Sequence, residues 1–299
     1  MHITGVLQEA LRAGDVVFEV LDPDQSRDHY AGESIEVNGQ PFIYRSLHDW
    51  TELAEVLGAV LEVPERIAEG RVRLRFRSLR HQVSWHQRGL GSGESEKYGT
   101  SSEFARTSKV ETPSFLLSFL EGVAFLDLTP QSRILSLGVN QGDELALFQQ
   151  IVGPQALKSM ELVGLDHSAT AIARARQRFS HPSFQFLEAD IQTLSSLNLG
   201  RFDLILAINT LHSPALKGHA LFQECIQDHL APKGGVLIGV PNSRHVDHHL
   251  VYGARMKNFS SPDLSVLWKE VGFYRRYLHQ HGFRVRVLGK HTVLVVGRR

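Results

Sequence analysis

Three short stretches of this chain combine glycines and acids at a spacing that suits a bound nucleoside. The first is Leu137-Gly138-Val139-Asn140-Gln141-Gly142-Asp143, which ends an apolar run. Glycines at 138 and 142 let the backbone turn sharply and approach a ligand closely. Asp166 lies 24 residues beyond Gly142 and ends a second apolar run. A carboxylate there can accept hydrogen bonds from both hydroxyls of a ribose. A third run closes in Glu188-Ala189-Asp190-Ile191, placing an acid where an adenine amino group could be read, although Asp190 could equally cap the helical segment after it. One such stretch alone is commonly a plain turn. Three at successive run ends point to a ligand.

A second set of residues could move a proton or hold an acceptor. His212 follows a fourth run through Asn209-Thr210-Leu211, and His245, His248 and His249 sit in the segment from Pro241 to His249. Histidine is the natural base near neutral pH. With 16 histidines in the chain some proximity is chance, and His212 and His245 are the candidates retained. The cluster of His245, Asp247, His248 and His249 lacks a spacing diagnostic of metal binding, so surface histidines are expected and no metal is assigned. Tyr252, Arg255 and Lys257 could hold an anionic acceptor, Arg255 best because its fork is bidentate. Farther upstream, Arg71, Arg73, Arg75 and Arg77 alternate with Val72, Leu74 and Phe76. Four guanidiniums on one face could track a phosphate backbone. A solvated edge strand is the favoured reading, since Trp85 is the only aromatic residue nearby beyond Phe76, which faces the other way.

Positioning these residues requires a particular series of elements. Strand-like runs at 134–137, 162–165, 184–187, 202–208 and 236–240 alternate with helical segments at 143–152, 169–179 and 220–230. Apolar strands separated by helices imply a parallel sheet covered on both faces. A last helix is expected from Ser261-Pro262 to Gly282, with Leu264, Leu267, Val271, Tyr274 and Leu278 as its stripe. Strands 283–288 and 292–296 follow, joined by Gly289-Lys290, a connection short enough only for an antiparallel pair. Thr112-Pro113 reads as an N-cap and first helical position, opening a helix with Phe115, Leu116, Phe119 and Val123 on one side.

Ahead of this lies a different region. Ile35-Glu36-Val37 and Phe42-Ile43-Tyr44 flank Asn38-Gly39, a hairpin signal. Residues 48–61 carry apolar side chains at helical spacing, including Trp50, Leu53, Val56, Leu57 and Val60. The stretch 89–102 contains four glycines and four serines and reads as a linker or lid, with Tyr98 able to close over a ligand. The expected organisation is an α+β auxiliary domain at 1–88, a linker or lid at 89–110 and an α/β domain at 111–299.

Bulk properties narrow the function classes. Lys plus Arg equals Asp plus Glu at 32 each in a chain of 299 residues. That balance argues against a protein built mainly to coat nucleic acid. Hydrophobic residues make up 42%, yet no run reaches the roughly 20 apolar residues that span a bilayer, and the first residues show no secretion signal. A single cysteine, Cys225, allows no internal disulfide, so a cytoplasmic setting is expected.

From Arg133 onward the chain resembles the class I S-adenosylmethionine-dependent methyltransferases, in its glycine loop, second-strand acid, third-strand acid and terminal antiparallel hairpin. The resemblance implies a Rossmann-like sheet, mostly parallel, and S-adenosylmethionine as cofactor. It implies that Gly138, Asn140 and Gly142 line the methionine portion and that Asp166 holds the ribose. His167 and Ile191 would flank adenine, Asp190 would meet its amino group, and Asn209 would sit beside the sulfonium. The family usually has an acid where Ser136 stands and a glycine where Asn140 stands. Serine can still hydrogen-bond the amino acid end, and asparagine tolerates left-handed backbone. A nicotinamide cofactor is disfavoured, because Asn140 and Asp143 occupy positions its fingerprint fills with glycine. The expected activity is methyl transfer to a small-molecule acceptor. RNA methylation using the Arg71–Arg77 strand and a non-catalytic cofactor-binding or scaffold protein are the alternatives. Aminopropyl transfer would be expected to need an acid where Asn209 stands.

Overall fold

The computed structural model describes residues 3–24, 28–79, 99–100, 102–108, 111–246, 248–254 and 264–299. The chain forms two compact units, one of Met1–Ser84 with His245–Val251 and the other of Trp85–Arg244 with Tyr252–Arg299. The glycine-serine stretch through Tyr98 lies outside the described residues, as do Trp85, Asp247, Arg255, Lys257 and Ser261-Pro262.

In the first unit, helix α1 (Ile3–Ala13) leads to strand β1 (Val16–Leu21), the hairpin β2 (Ser34–Val37) and β3 (Gln40–Ile43), and helix α2 (Leu47–Val56). Strands β4 (Ala59–Leu61), β5 (Glu65–Ala68) and β6 (Arg71–Ser78) follow. Strand β6, expected at a sheet edge, is instead central, pairing antiparallel with β1 along one side and with β4 and β5 along the other. Its alternation is the one its sequence shows: Val72, Leu74 and Phe76 are buried with Leu7, Leu11, Trp50 and Ala54. The hairpin turns on Asn38 and Gly39, both at positive φ, as a two-residue turn matching strand twist requires. Ser46 opens α2 through a reciprocal capping box with Asp49. The helix expected over 48–61 is shorter than its apolar spacing implied. It ends at Val56, Gly58 turns at φ 71°, and Val60 belongs to β4. A glycine in left-handed backbone stops a helix whatever the periodicity beyond it.

In the second unit, helix α3 (Pro113–Leu126) starts with Thr112 as its N-cap residue and Pro113 in the first turn. Strand β7 (Arg133–Leu137), helices α4 (Asp143–Val152) and α5 (Pro154–Lys158), β8 (Glu161–Asp166), α6 (Ala169–Arg178) and β9 (Phe184–Glu188) come next. A 3-10 segment (Ile191–Leu197) precedes β10 (Phe202–Ile208), and α7 (Gly218–Glu224) runs into one π turn at Cys225–His229. Strand β11 (Leu230–Pro241) is followed by the small pair β12 (Ser243–Val246) and β13 (His249–Tyr252), of which His245–Val251 group with the first unit. Helix α8 (Ser265–Gln280) and strands β14 (Arg284–Leu288) and β15 (Thr292–Arg298) complete the chain. The helix expected to reach Leu230 therefore ends at His229, and β11 begins six residues before the expected Val236. The strand starts early because Phe202 of β10 pairs with Leu230, across a register shift.

The sheet has seven strands in the order β14-β15-β11-β10-β7-β8-β9. Strands β7 to β11 are parallel, while β15 runs antiparallel to both neighbours. One face packs Phe119, Phe148, Ile172, Leu206 and Leu237. The other packs Leu137, Leu165, Phe222, Ile238, Tyr274 and Leu278. Two apolar faces on each central strand are what an α/β sandwich needs.

Candidate active site

The sheet order places the reversal of strand order at the boundary between β7 and β10, where open α/β sheets bind ligands at the carboxyl ends of their strands. Beyond β7 the backbone is strapped across to β8. The amides of Gly138 and Val139 both donate to the Leu165 carbonyl, at 2.8 and 3.0 Å. Asp166, buried at the end of β8, completes the strap. Its Oδ2 accepts from the Asn140 amide at 2.9 Å, and its Oδ1 accepts from the Ser168 amide at 3.0 Å.

Residue choice in this loop follows from its backbone. Gly138, Asn140 and Gly142 all have positive φ, at 67°, 47° and 81°. Asn140 also stabilises the turn locally, its Oδ1 accepting from the Gln141 amide at 2.8 Å. A Cβ on Gly138 would stand 2.5 Å from Thr210 Oγ1, and one on Gly142 would stand 2.7 Å from the Phe179 ring. Thr210 fills that space because its hydroxyl bonds the Leu137 carbonyl at 3.1 Å and the Ile208 carbonyl at 3.2 Å. Thr210 is a part of the site that sequence reasoning passed over. Its only signal was its place after Asn209.

Around this strap stand the other candidates. Ser136 is buried within β7. His167 is half exposed, with Nδ1 3.6 Å from Asp166 Oδ1. Asp190 is exposed and caps the 3-10 segment, accepting from the Gln192 amide at 2.9 Å, while Ile191 beside it is buried. Asn209 directly follows β10 in left-handed backbone, φ 55°, and its Oδ1 is buried with no hydrogen-bond partner among the described residues. His212 is half-buried in the connection that follows.

The remaining candidates belong to other elements. His245 belongs to the first unit, where burial and then the charge of His248 hold its imidazole below the usual histidine range. Tyr252 is exposed at the end of β13, with its carbonyl accepting from Arg244 at 2.7 Å. Each arginine of β6 faces carboxylates of its own unit: Arg71 meets Glu19, Arg73 meets Glu19 and Glu65, Arg75 meets Asp15 and Glu62, and Arg77 meets Glu62. Among the described residues no group of three or more His, Cys, Asp or Glu could hold a metal ion. No described helix is long and apolar enough to cross a membrane.

Residues 134–234 match a family model described as a methyltransferase domain. Similar solved structures include a SAM-dependent methyltransferase from Aquifex aeolicus, 17% identical, covering 63% of this chain and 94% of that one with a TM-score of 0.43. The plantazolicin methyltransferase BpumL, solved in complex with SAH, is 14% identical over 72% of this chain and 94% of its own, TM-score 0.48. A TehB-like SAM-dependent methyltransferase from Corynebacterium glutamicum is 16% identical over 61% and 87%, TM-score 0.38. No curated protein matches the chain. The match over 134–234, on a mostly parallel sheet closed by an antiparallel strand, shows a methyltransferase domain in this part of the chain.

Proposed function

We propose that the chain transfers the methyl group of S-adenosylmethionine to an oxygen, nitrogen or sulfur atom of a small-molecule acceptor by in-line displacement. The observation that carries this reading is the loop strapped by Asp166, in which Gly138, Asn140 and Gly142 all take left-handed backbone and the two glycines pass too close to Thr210 and Phe179 to carry a Cβ. Gly138, Asn140 and Gly142 line the methionine portion, with Ser136 toward its amino acid end. Each Asp166 oxygen accepts one backbone bond and keeps a second lone pair for a ribose hydroxyl. His167 and Ile191 flank adenine, and Asp190 receives its amino group beside the bond it already makes as a cap. The bound cofactor supplies an electrophilic methyl group.

The protein's part is to align the acceptor and, for a hydroxyl or thiol, to take its proton. The unpaired Asn209 Oδ1 suits a donor presented beside the methyl group, since leaving a buried carbonyl unsatisfied is costly. His212, three residues on, is the first candidate base. His245 is the second, with burial favouring the neutral ring that can accept a proton. Tyr252 and Arg255 are proposed acceptor contacts. A reducing cytoplasm fits a chain whose one thiol is buried.

A small molecule is preferred to RNA because the β6 arginines already face carboxylates. The test is transfer of labelled methyl groups from the cofactor into cell extract separated into small-molecule, RNA and protein fractions. Label should enter the small-molecule fraction and vanish with Asp166→Ala. Label in RNA that depends on salt and on Arg73 and Arg75 would overturn the acceptor assignment.

A further inference from the structure

A groove of about 580 Å³ runs along the outer side of α7 and α8, apart from the strand-end loops that form the candidate cofactor site. Its size falls within the range of small-molecule pockets. Three features of its lining have no structural explanation. Trp268 is 77% exposed, although a tryptophan is normally largely buried. Lys269 and Arg276 also line the groove, and neither makes an ion pair among the described residues. Gly272 lies in the middle of α8, where glycine weakens a helix relative to alanine. A Cβ there would meet nothing within 4 Å, so no packing contact demands the glycine. What it provides is open space between Trp268 one turn before it and Arg276 one turn after.

The floor and wall are held by packing and hydrogen bonds. His219 stacks on Phe273 with ring centroids 3.7 Å apart and planes 9° from parallel. Glu270, buried beneath, accepts from Tyr274 Oη at 3.1 Å and lies 3.0 Å from His219 Nε2. Burial and this carboxylate raise the Tyr274 phenol well above its ordinary value, so it stays a donor. The one acid of the helix is thereby held below the groove, and the exposed charge on its rim is positive.

We propose that this groove is a second ligand site, for a nucleotide. The base stacks on Trp268 over Gly272, and the phosphate lies between Lys269 and Arg276. An exposed indole offers a face to any base, and Arg276 can grip a phosphate with two parallel donors. The shared chemistry is a base joined to a phosphate, free or within a single strand.

The test is titration of the full chain with guanosine and uridine monophosphates and with a short oligouridylate, following tryptophan fluorescence. Saturating S-adenosylhomocysteine keeps the probes out of the cofactor pocket. Saturable quenching is expected, lost in Trp268→Phe. Binding should weaken about tenfold or more in Arg276→Gln and be abolished in Gly272→Leu, which fills the groove. Gly272→Leu should unfold at or above the native midpoint, so its loss of binding would not reflect misfolding. An oligonucleotide that binds more tightly than the monophosphates identifies a strand as the source, and equal affinities identify the free nucleotide. Absence of saturable quenching by all three probes, or unchanged binding in Gly272→Leu, would overturn the proposal. S-adenosylhomocysteine binding should be unaffected by these variants, which separates failure of this site from failure of the cofactor assignment.

Discussion

Several turn glycines of this chain share a positive φ, but they differ in what lies over them. At Gly39, Gly58 and Gly282 a Cβ would meet nothing within 4 Å, whereas at Gly138 it would stand 2.5 Å from Thr210 Oγ1. Gly282→Ala should therefore cost about 1 kcal/mol of stability through backbone strain alone and leave cofactor affinity unchanged. Gly138→Ala adds a clash inside the strapped loop, and calorimetry should show affinity reduced about tenfold or more. The loop's glycines and Asp166 were legible in the sequence because spacing and residue type state the backbone requirement directly. Thr210 was not, because its role depends on which strand lies beside β7. Cys225 illustrates burial acting on chemistry. Its thiol is pushed up to about 12, first by desolvation and then by Glu224. A thiol reagent at about pH 8 should leave it unmodified in the native chain and react on unfolding. His245 is displaced in the other sense. Because folding favours its neutral ring, its contribution is complete above 6.5, the ordinary value, and is lost as pH falls from there through the lowered folded value. His245→Gln should lessen the drop in unfolding free energy on acidification below that point.

Strand β6 shows how the two faces of one element differ in energy. Leu74 is fully buried, and Leu74→Ala should cost about 2–5 kcal/mol in a urea titration. Arg73, on the opposite face, meets Glu19 and Glu65 at 3.7 and 3.3 Å across partly exposed surface. Such pairs contribute about 0–1 kcal/mol, so Arg73→Gln should barely move the midpoint. Equal losses at the two positions would contradict this division. The alternation itself could be read from sequence, but the carboxylates facing it come from β1, β5 and two loops, and no local pattern announces them. Helix α2 was overestimated for a related reason. Leu57 and Val60 continue the helical spacing, yet Gly58 turns the chain and hands Val60 to β4. Periodicity counts faces and is blind to a strand waiting for the next residue.

At the scale of the whole molecule, the alternation of strands and helices after Arg133 carried most of the information. Continuous apolar strands must be covered twice, and the final pair is joined too tightly to be anything but antiparallel. The insertion of β15 between β11 and β14 was not legible, since it follows from long-range pairing of Gly235–Pro241 with Thr292–Arg298. Nor could sequence order show that His245–Val251 groups with the N-terminal unit. A ligand that binds only the folded second unit should stabilise it by mass action, about 2.7 kcal/mol at a concentration 100 times its dissociation constant. Thermal unfolding with and without S-adenosylhomocysteine should display that shift, and Gly138→Ala should shrink it.

The most direct test of the central claim is calorimetric titration of the full chain with S-adenosylmethionine and S-adenosylhomocysteine, beside Asp166→Ala. The carboxylate at Asp166 both straps the loop through the Asn140 amide and is assigned to the ribose. Micromolar binding by the native chain and a loss of about 100-fold or more in the variant are the predicted results. Absence of binding by the native chain, or unchanged affinity in Asp166→Ala, would contradict the account.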